Sequence, residues 1–173
     1  MTPISPIEMQ SVFDIAGIEV ADPKTGIGRR LSLLNGPLRT VVVHFIETDP
    51  SLYISNVLAI LLSVADRWLL FPRYGAVPQL VSGVGDRESA SVLFEGAEKG
   101  QLVSILTQLS DNNQLIDFDV YLLAQNGNVL AAWDHHIFHD GFCVQFQNLI
   151  QSTQFISALN DFGAEFETFY ANA

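Results

Sequence analysis

The octapeptide WDHHIFHD at residues 133–140 contains the side chains with the greatest capacity for chemistry. Three of the four histidines lie in it together with Asp134 and Asp140, and the single cysteine, Cys143, follows closely. Imidazole and carboxylate groups bind zinc, manganese or iron. A cysteine next to a histidine that a carboxylate orients is the arrangement that nucleophilic catalysis requires. The residue types alone therefore permit a metal site or a thiol-dependent site.

A hairpin signal fixes the direction in which these side chains point. The dipeptide Asn126-Gly127 lies between two apolar-rich runs. It favours a two-residue type I′ loop, because both central residues of that loop need a positive φ. This loop predicts an antiparallel strand pair in which Val120 lies opposite Trp133.

A weaker turn signal, Asp140-Gly141, predicts a second two-residue loop in which Phe138 lies opposite Cys143. The segment then forms a three-strand antiparallel meander at about residues 117–147. Because side chains alternate between the faces of a strand, one face is apolar and is predicted to join the core: Phe118, Val120, Leu122, Trp133, His135, Ile137, Val144 and Phe146. The outer face collects most of the polar side chains: Asp117, Asp119, Tyr121, Asp134, His136, Phe138, Cys143, Gln145 and Gln147.

This outer face is the predicted binding surface. Asp119 lies opposite Asp134 on the predicted register, and two facing carboxylates repel each other unless water, a proton, a cation or a basic partner offsets the charge. We expect Asp117, Asp119 and Asp134 to supply a negative field, and Tyr121 and His136 to make directed contacts. A slip of one residue would exchange the two faces, so the prediction depends on the first turn.

The clustered histidines are expected to diverge rather than to share a metal ion. His135 points to the core face, His136 to the outer face, and His139 lies at the turn. The apolar neighbours of Cys143 predict a buried thiol whose pKa is raised. The sequence therefore predicts no catalytic residue, no metal and no cofactor. The alternative is a metal- or cysteine-dependent enzyme centred on Asp134, His136 and Cys143.

Length and composition set the class of the protein. The chain has 173 residues, of which 49% are hydrophobic and 16% charged, and this fits a single domain over residues 1–173. No run of about 18 uncharged apolar residues is present. The N-terminal residues MTPISPIEMQ lack the cationic start and apolar stretch of a secretory signal. A single cysteine suits a reducing compartment. We therefore expect a soluble cytoplasmic protein without a membrane segment.

Charge is distributed unevenly along the chain, whose formal net charge is −11. Residues 1–100 contain all 8 Lys and Arg residues, whereas residues 101–173 contain none. The second half carries only acids: Asp111, Asp117, Asp119, Asp134, Asp140, Asp161, Glu165 and Glu167. A half without cations cannot neutralise phosphates, so we expect no nucleic-acid binding. Its negative field instead favours encounter with a basic protein.

The elements around the meander predict an α+β fold, with a mostly antiparallel sheet packed by two to four helices. Further strands are predicted at 38–46 and 67–75, and helices at 5–15, 51–65, 97–110 and 153–162. Ser152 is the predicted cap of the last helix and Gly163 its terminator. Residues 21–37 are predicted to be mostly loop, 91–96 are ambiguous between strand and helix, and 164–170 are typical of an edge strand.

These observations favour a non-enzymatic protein-binding module for a basic partner, of the inhibitor, immunity-factor or chaperone kind. The enzyme centred on residues 134–143 is one alternative. A homo-oligomer that pairs through residues 164–170 is another.

Overall fold

The structure is a computed structural model and describes residues 2–4, 8, 11–12, 14–15, 18–21, 30–33, 37–44, 50–72, 91–111, 118–134 and 141–170. These residues contain ten strands: β1 Thr2–Ile4, β2 Ile18–Ala21, β3 Arg30–Leu33, β4 Arg39–His44, β5 Arg67–Pro72, β6 Ser91–Glu95, β7 Phe118–Leu123, β8 Val129–Asp134, β9 Gly141–Phe146 and β10 Phe166–Tyr170. Three α-helices are described over their whole length: α1 Pro50–Leu62, α2 Lys99–Asp111 and α3 Leu149–Phe162. A 3₁₀ turn, Gly96–Glu98, leads into α2.

Eight of the strands form one sheet in the order β1-β6-β5-β7-β8-β9-β4-β10, and its neighbouring strands pair antiparallel. β2 and β3 form a separate two-stranded sheet. Buried side chains of α1, α2 and α3 share one core cluster with a single face of the large sheet. The predicted α+β class, the mostly antiparallel sheet and the number of helices are confirmed. Within the described ranges, no helix has the length and apolar character needed to cross a membrane.

The two faces of the sheet bury separate apolar clusters. The helix-facing cluster includes Trp68 and Trp133, both about 1% exposed. The opposite face buries a smaller cluster: Ile4, Leu69, Phe71, Tyr121, Leu123, Val129 and Ala132. Val12 packs against this second cluster, and the Cγ2 of Ile15 lies 3.0 Å from where a Cβ of Gly127 would be. Residues from the N-terminal segment therefore cover part of the outer face.

Helices α1 and α2 form where the apolar spacing predicts them. α1 starts at Pro50, where the missing N–H of proline costs nothing. It buries one broad face, made of Tyr53, Ile54, Val57, Leu58, Leu61 and Leu62, whereas Leu52 is exposed. α2 buries the predicted stripe Leu102, Ile105, Leu106 and Leu109.

The start of α3 differs from the prediction. The helix begins at Leu149, and its cap is Asn148, whose side-chain oxygen accepts a hydrogen bond from the Ile150 N–H at 2.8 Å. Ser152, the predicted cap, is fully buried inside the first turns and donates to the Leu149 carbonyl at 2.9 Å. Asparagine is one of the strongest capping residues, so the helix extends back to it. The predicted terminator Gly163 is confirmed, since its φ is +79°.

Strand β3 corrects the predicted loop at residues 21–37. Arg30–Leu33 pairs with Ile18–Ala21, because the alternation of Leu31 and Leu33 with polar neighbours outweighs the glycines and prolines around it. The short strand β1 was not predicted. The ambiguous segment 91–96 is a strand up to Glu95. In the segment 5–15, residues 8, 11, 12, 14 and 15 are helical, as expected, and the rest lie outside the described residues.

Candidate binding surface

The loop between β7 and β8 is longer than predicted. The Gly127 N–H donates to the Ala124 carbonyl at 2.9 Å, and the Ala124 N–H donates to the Asn128 carbonyl at 2.9 Å. Three residues, 125–127, therefore lie between the closing pair, instead of two. Gly127 has φ +89° and supplies the left-handed residue that such a three-residue loop needs.

A bulge restores the predicted register. The pairing shifts between Leu122 and Leu123, so that Leu123 pairs with Val129. The extra residue in the loop and the extra residue in β8 offset each other. Val120 therefore lies opposite Trp133, as predicted. Continuing this ladder by one residue places the backbone of Asp119 opposite that of Asp134.

β8 and β9 pair antiparallel as predicted, but the predicted register and two-residue loop of this second hairpin are wrong. Cys143 lies opposite Asp134 rather than Phe138, so the β8–β9 pairing is displaced by four residues from the prediction. Gly141 already belongs to β9 and therefore does not form a two-residue loop with Asp140. The connection 135–140 lies outside the described residues. Because four is an even number, the displacement does not exchange the faces, and Val144 joins the helix-facing core as expected.

Two residues of the predicted binding surface are buried. The side chain of Asp119 is 3% exposed and that of Tyr121 is 2% exposed. Tyr121 belongs to the second apolar cluster, and Asp119 lies opposite Phe71, which is itself fully buried. The side chains of Asp119 and Tyr121 are therefore not accessible to a partner in this structure, whereas their role in a binding surface stays a prediction. The outer face of β7 is covered because residues from other parts of the chain pack on it. The alternation of residues along β7 does not reveal this second layer.

The structure describes little of the other three predicted residues. Asp117 and His136 lie outside the described residues, and for Asp134 only the backbone is described. Among the described side chains, no group of three His, Cys, Asp or Glu residues is arranged to hold a metal ion.

The thiol of Cys143 is fully buried, with an exposed fraction of 0%. Its neighbours on β9, Phe142 and Val144, are also buried, at 1% and 0%. The sequence predicted this burial. A thiol that water does not reach has no path to a substrate in this conformation, and burial disfavours the reactive thiolate.

A different surface carries the exposed acids of the C-terminal half. β10 is the last strand in the order of the large sheet and pairs only with β4 among the described strands. Residues 165–170, called the β10 edge from here on, combine exposed carboxylates with exposed aromatic rings. Glu165 and Glu167 are exposed, and Phe169 and Tyr170 are 47% and 63% exposed. The prediction of an edge strand at 164–170 is confirmed.

The hydrogen-bond pattern shows which backbone groups of β10 point outward. The His44 N–H donates to the Glu165 carbonyl at 2.9 Å, and Phe166 lies opposite Val43. In an antiparallel ladder, bonded and non-bonded pairs alternate. The N–H and C=O groups of Glu167 and Phe169 therefore face β4. Those of Phe166, Thr168 and Tyr170 face away from the sheet.

The side chains of β10 divide in the same alternating way. Phe166 packs against the helix-facing core, so Thr168 and Tyr170 lie on the helix side and Glu167 and Phe169 lie on the outer side. On the outer side the Nε2 of His44 lies 3.4 Å from the Oε1 of Glu167. This contact is an ion pair only when the imidazole is protonated.

Arg39 fixes the end of β10 to α3. Its guanidinium carbon lies 4.6 Å from the centre of the Tyr170 ring, a cation–π distance. Its Nη1 donates to the Thr153 hydroxyl at 3.3 Å. Close to this contact, α3 begins with two exposed apolar residues, Leu149 and Ile150, at 48% and 66%. Leu149 and Ile150 belong to the same helix as Thr153, which Arg39 contacts.

Glu165, the residue before β10, affects the electrostatics of Tyr53 on α1. The ring of Tyr53 is 5.7 Å from that of Phe162. Burial of the phenol, and to a smaller extent the negative charge of Glu165, raise the pKa of Tyr53 above its ordinary value of 10.0. The carboxylate of Glu165 thus influences a buried group on the helix side although its own side chain is exposed.

Sequence reasoning assigned residues 164–170 only as the pairing surface of the homo-oligomer alternative and not as a site for a partner protein. The signal was present in AEFETFY (164–170), where glutamates alternate with aromatic residues. This signal is weak because the alternation is imperfect and because the histidine-rich octapeptide at 133–140 carries more reactive groups.

Comparison of the chain with protein-family models, with curated proteins and with solved structures gave no match.

Proposed function

We propose that this chain is a non-enzymatic protein-binding module for a basic partner, and that the partner contacts the β10 edge. One observation carries the proposal. The half of the chain without any Lys or Arg ends in an edge strand on which exposed Glu165 and Glu167 lie beside exposed Phe169 and Tyr170. Exposed aromatic rings provide contact area at protein interfaces, and exposed carboxylates attract cations.

The negative charge of this chain implies a positively charged partner. A formal net charge of −11 repels acidic proteins and nucleic acids at long range and speeds encounter with basic proteins. Because the two glutamates are exposed, salt screens their field over about 8–10 Å. The complex is therefore expected to weaken as ionic strength rises. An inhibitor, an immunity factor or a chaperone of a basic protein, acting in the cytoplasm, has these properties.

The test is a capture experiment from the lysate of the native host at low and at high salt. The wild-type chain is compared with the double variant Glu165→Gln, Glu167→Gln. The matched control is Asp66→Asn with Asp111→Asn, which removes the same charge from two exposed positions outside the β10 edge. A third variant, Asp117→Asn with Asp134→Asn, tests the surface predicted first. Bound proteins are identified by mass spectrometry.

The proposal expects one basic protein that wild type and the Asp66, Asp111 control retain, and that salt or the Glu165, Glu167 variant releases. Release by the Asp117, Asp134 variant alone would move the contact to the strand ends of β7 and β8. If the wild type retains no basic protein at low salt, the proposed function is wrong.

A further inference from the structure

We propose that the partner contributes an extended, cationic segment that adds to the free side of β10 as an additional antiparallel strand. This inference rests on the proposed function and specifies how the same surface binds. It assigns the main-chain groups of Phe166, Thr168 and Tyr170 as the hydrogen-bonding site, and it predicts the pattern of side chains that the segment must carry.

The main chain of β10 offers a complete set of strand-pairing groups. Phe166, Thr168 and Tyr170 point their N–H and C=O groups away from β4, as the His44–Glu165 bond and the β4 register require. No described strand pairs with this side. An edge of this kind is a template for another strand, and peptides bind many proteins by such strand addition.

The side chains of β10 define what the added strand carries. Glu167 and Phe169 lie on the outer side and Glu165 precedes Glu167 by two residues, so the alternate, outer positions of the added strand are the ones that cations must occupy. Phe166, Thr168 and Tyr170 lie on the helix side, where the apolar ring of Phe166 joins the core. Arg39 already places a positive charge over Tyr170 there. The helix-side positions of the added strand are therefore apolar or neutral, and its outer positions are Lys or Arg.

A second copy of the chain is a poorer occupant than a cationic strand. Two β10 strands pairing antiparallel around Thr168 would place Glu167 of each copy diagonally across from the other on one face. Like charges at such positions destabilise a strand pair, and each copy carries a formal net charge of −11. Charge complementarity therefore favours the cationic segment.

The probe for the test is a synthetic heptapeptide, Thr-Lys-Val-Lys-Val-Lys-Thr, which carries lysines at alternate positions. Two control peptides have the block order Thr-Lys-Lys-Lys-Val-Val-Thr and the reversed charge Thr-Glu-Val-Glu-Val-Glu-Thr. Binding to the full ¹⁵N-labelled chain is followed by amide chemical shifts and by hydrogen exchange. In the free protein the amides of Phe166, Thr168 and Tyr170 should exchange faster than those of Glu167 and Phe169. The alternating peptide should slow the three outward amides.

Variants of both molecules separate main-chain pairing from charge. Thr168→Pro removes an outward N–H and should weaken the peptide at least about tenfold, whereas Thr168→Val keeps the N–H and the β-branched shape. Glu165→Gln with Glu167→Gln should weaken it about 2- to 30-fold. N-methylation of the two valine amides of the peptide, which face β10 in antiparallel pairing, should abolish binding. N-methylation of two lysine amides should not.

Slowed outward amides, loss of binding with Thr168→Pro and retention with Thr168→Val would support strand addition. If Thr168→Pro does not fold, the two methylated peptides decide the question on the wild-type protein. Equal binding of both methylated peptides, or of the block peptide and the alternating peptide, would overturn the inference. So would outward amides that become slow with rising protein concentration alone, because a second copy would then fill the edge. Capture of a basic protein that Thr168→Pro still retains would refute strand addition while leaving the proposed function intact.

Discussion

Proline substitutions at two neighbouring positions of β10 provide a sharp test of its hydrogen-bond geometry. Thr168 points its N–H away from the sheet, whereas the N–H of Phe169 faces the carbonyl of Thr40 on β4. Proline has no N–H and is tolerated in edge strands only where that group faces outward. We compare Thr168→Pro with Thr168→Ala, and Phe169→Pro with Phe169→Ala, so that the loss of each side chain cancels.

The expected magnitudes differ strongly between the two sites. Proline at 169 removes a hydrogen bond of about 1 kcal/mol and leaves the half-buried Thr40 carbonyl without its donor, at about 1–3 kcal/mol more. Proline at 168 removes no sheet hydrogen bond. It also lowers the conformational entropy of the unfolded chain, which stabilises the fold by about 0.4–1 kcal/mol and offsets local strain of that size. In a chain of this size, 1 kcal/mol shifts Tm by about 2–4 °C. Phe169→Pro should therefore melt about 4–16 °C below Phe169→Ala, and Thr168→Pro within about 3 °C of Thr168→Ala.

The assay is thermal unfolding followed by circular dichroism, supported by urea unfolding at 25 °C. The predicted order is a small loss of stability at 168 and a large loss at 169. Equal losses at the two positions, or a larger loss at 168, would refute the assignment of outward and inward groups on β10. Strand addition to β10, which depends on that assignment, would then be refuted as well.

Three further predictions concern other parts of the molecule. Gly163→Ala should lower the free energy of unfolding by about 1–2 kcal/mol in urea titrations. Its φ is +79°, and a Cβ there would meet no other atom within 4 Å, so the cost comes from the backbone conformation. An unchanged stability would contradict the left-handed cap. Cys143 should react with iodoacetamide at least about 100-fold more slowly in the folded than in the unfolded chain, since its exposed fraction is 0%. Rapid alkylation near neutral pH would instead support the alternative of a thiol-dependent enzyme. Tyr53 should titrate above 10.0, so the stability that it contributes is intact below that pH and is lost as pH rises towards the raised pKa. Difference spectra against Tyr53→Phe measure this shift, and Glu165→Gln should reduce it; a shift that Glu165→Gln enlarges would contradict the assigned charge effect.

The hairpin at residues 124–128 shows why a correct register can follow from an incorrect turn. Asn126-Gly127 does mark the reversal of the chain, and Gly127 does have a positive φ. Sequence alone does not reveal whether a loop has two or three residues, nor that a bulge near Leu123 compensates for the difference. Side-chain alternation excludes odd displacements, because an odd displacement would expose the apolar face, but it does not distinguish between even displacements. For the same reason the β8–β9 prediction missed by four residues and still assigned the faces correctly.

The outer face of β7 shows the limit of periodicity. Asp119 and Tyr121 alternate with buried residues, which is typical of a strand with one face in water. The burial of Tyr121 depends on residues that are distant in sequence: Ile4 belongs to the same outer-face cluster, and Val12 packs against that cluster. No local pattern encodes that second layer. The elements with strong internal signals, such as α2 and the Gly163 terminator, were predicted correctly because the deciding interactions are local.

Asn148 and β10 illustrate two signals of intermediate strength. Asn148 and Ser152 are both good capping residues, and the sequence does not show that Leu149 and Ile150 continue the helix while remaining exposed. The edge position of β10 was predicted, but its pairing with β4 joins residues more than a hundred positions apart. Only that pairing identifies which backbone groups point outward, so the candidate surface required the structure.

The measurement that tests the central claim most directly is hydrogen–deuterium exchange of the chain alone and in complex with the basic protein that it captures from its host. Residue-resolved exchange should slow on binding at Phe166, Thr168 and Tyr170, while Glu167 and Phe169, already bonded to β4, should change little. Protection that leaves these three amides unchanged and appears elsewhere, for example along β7 and β8, would contradict a binding surface at the β10 edge.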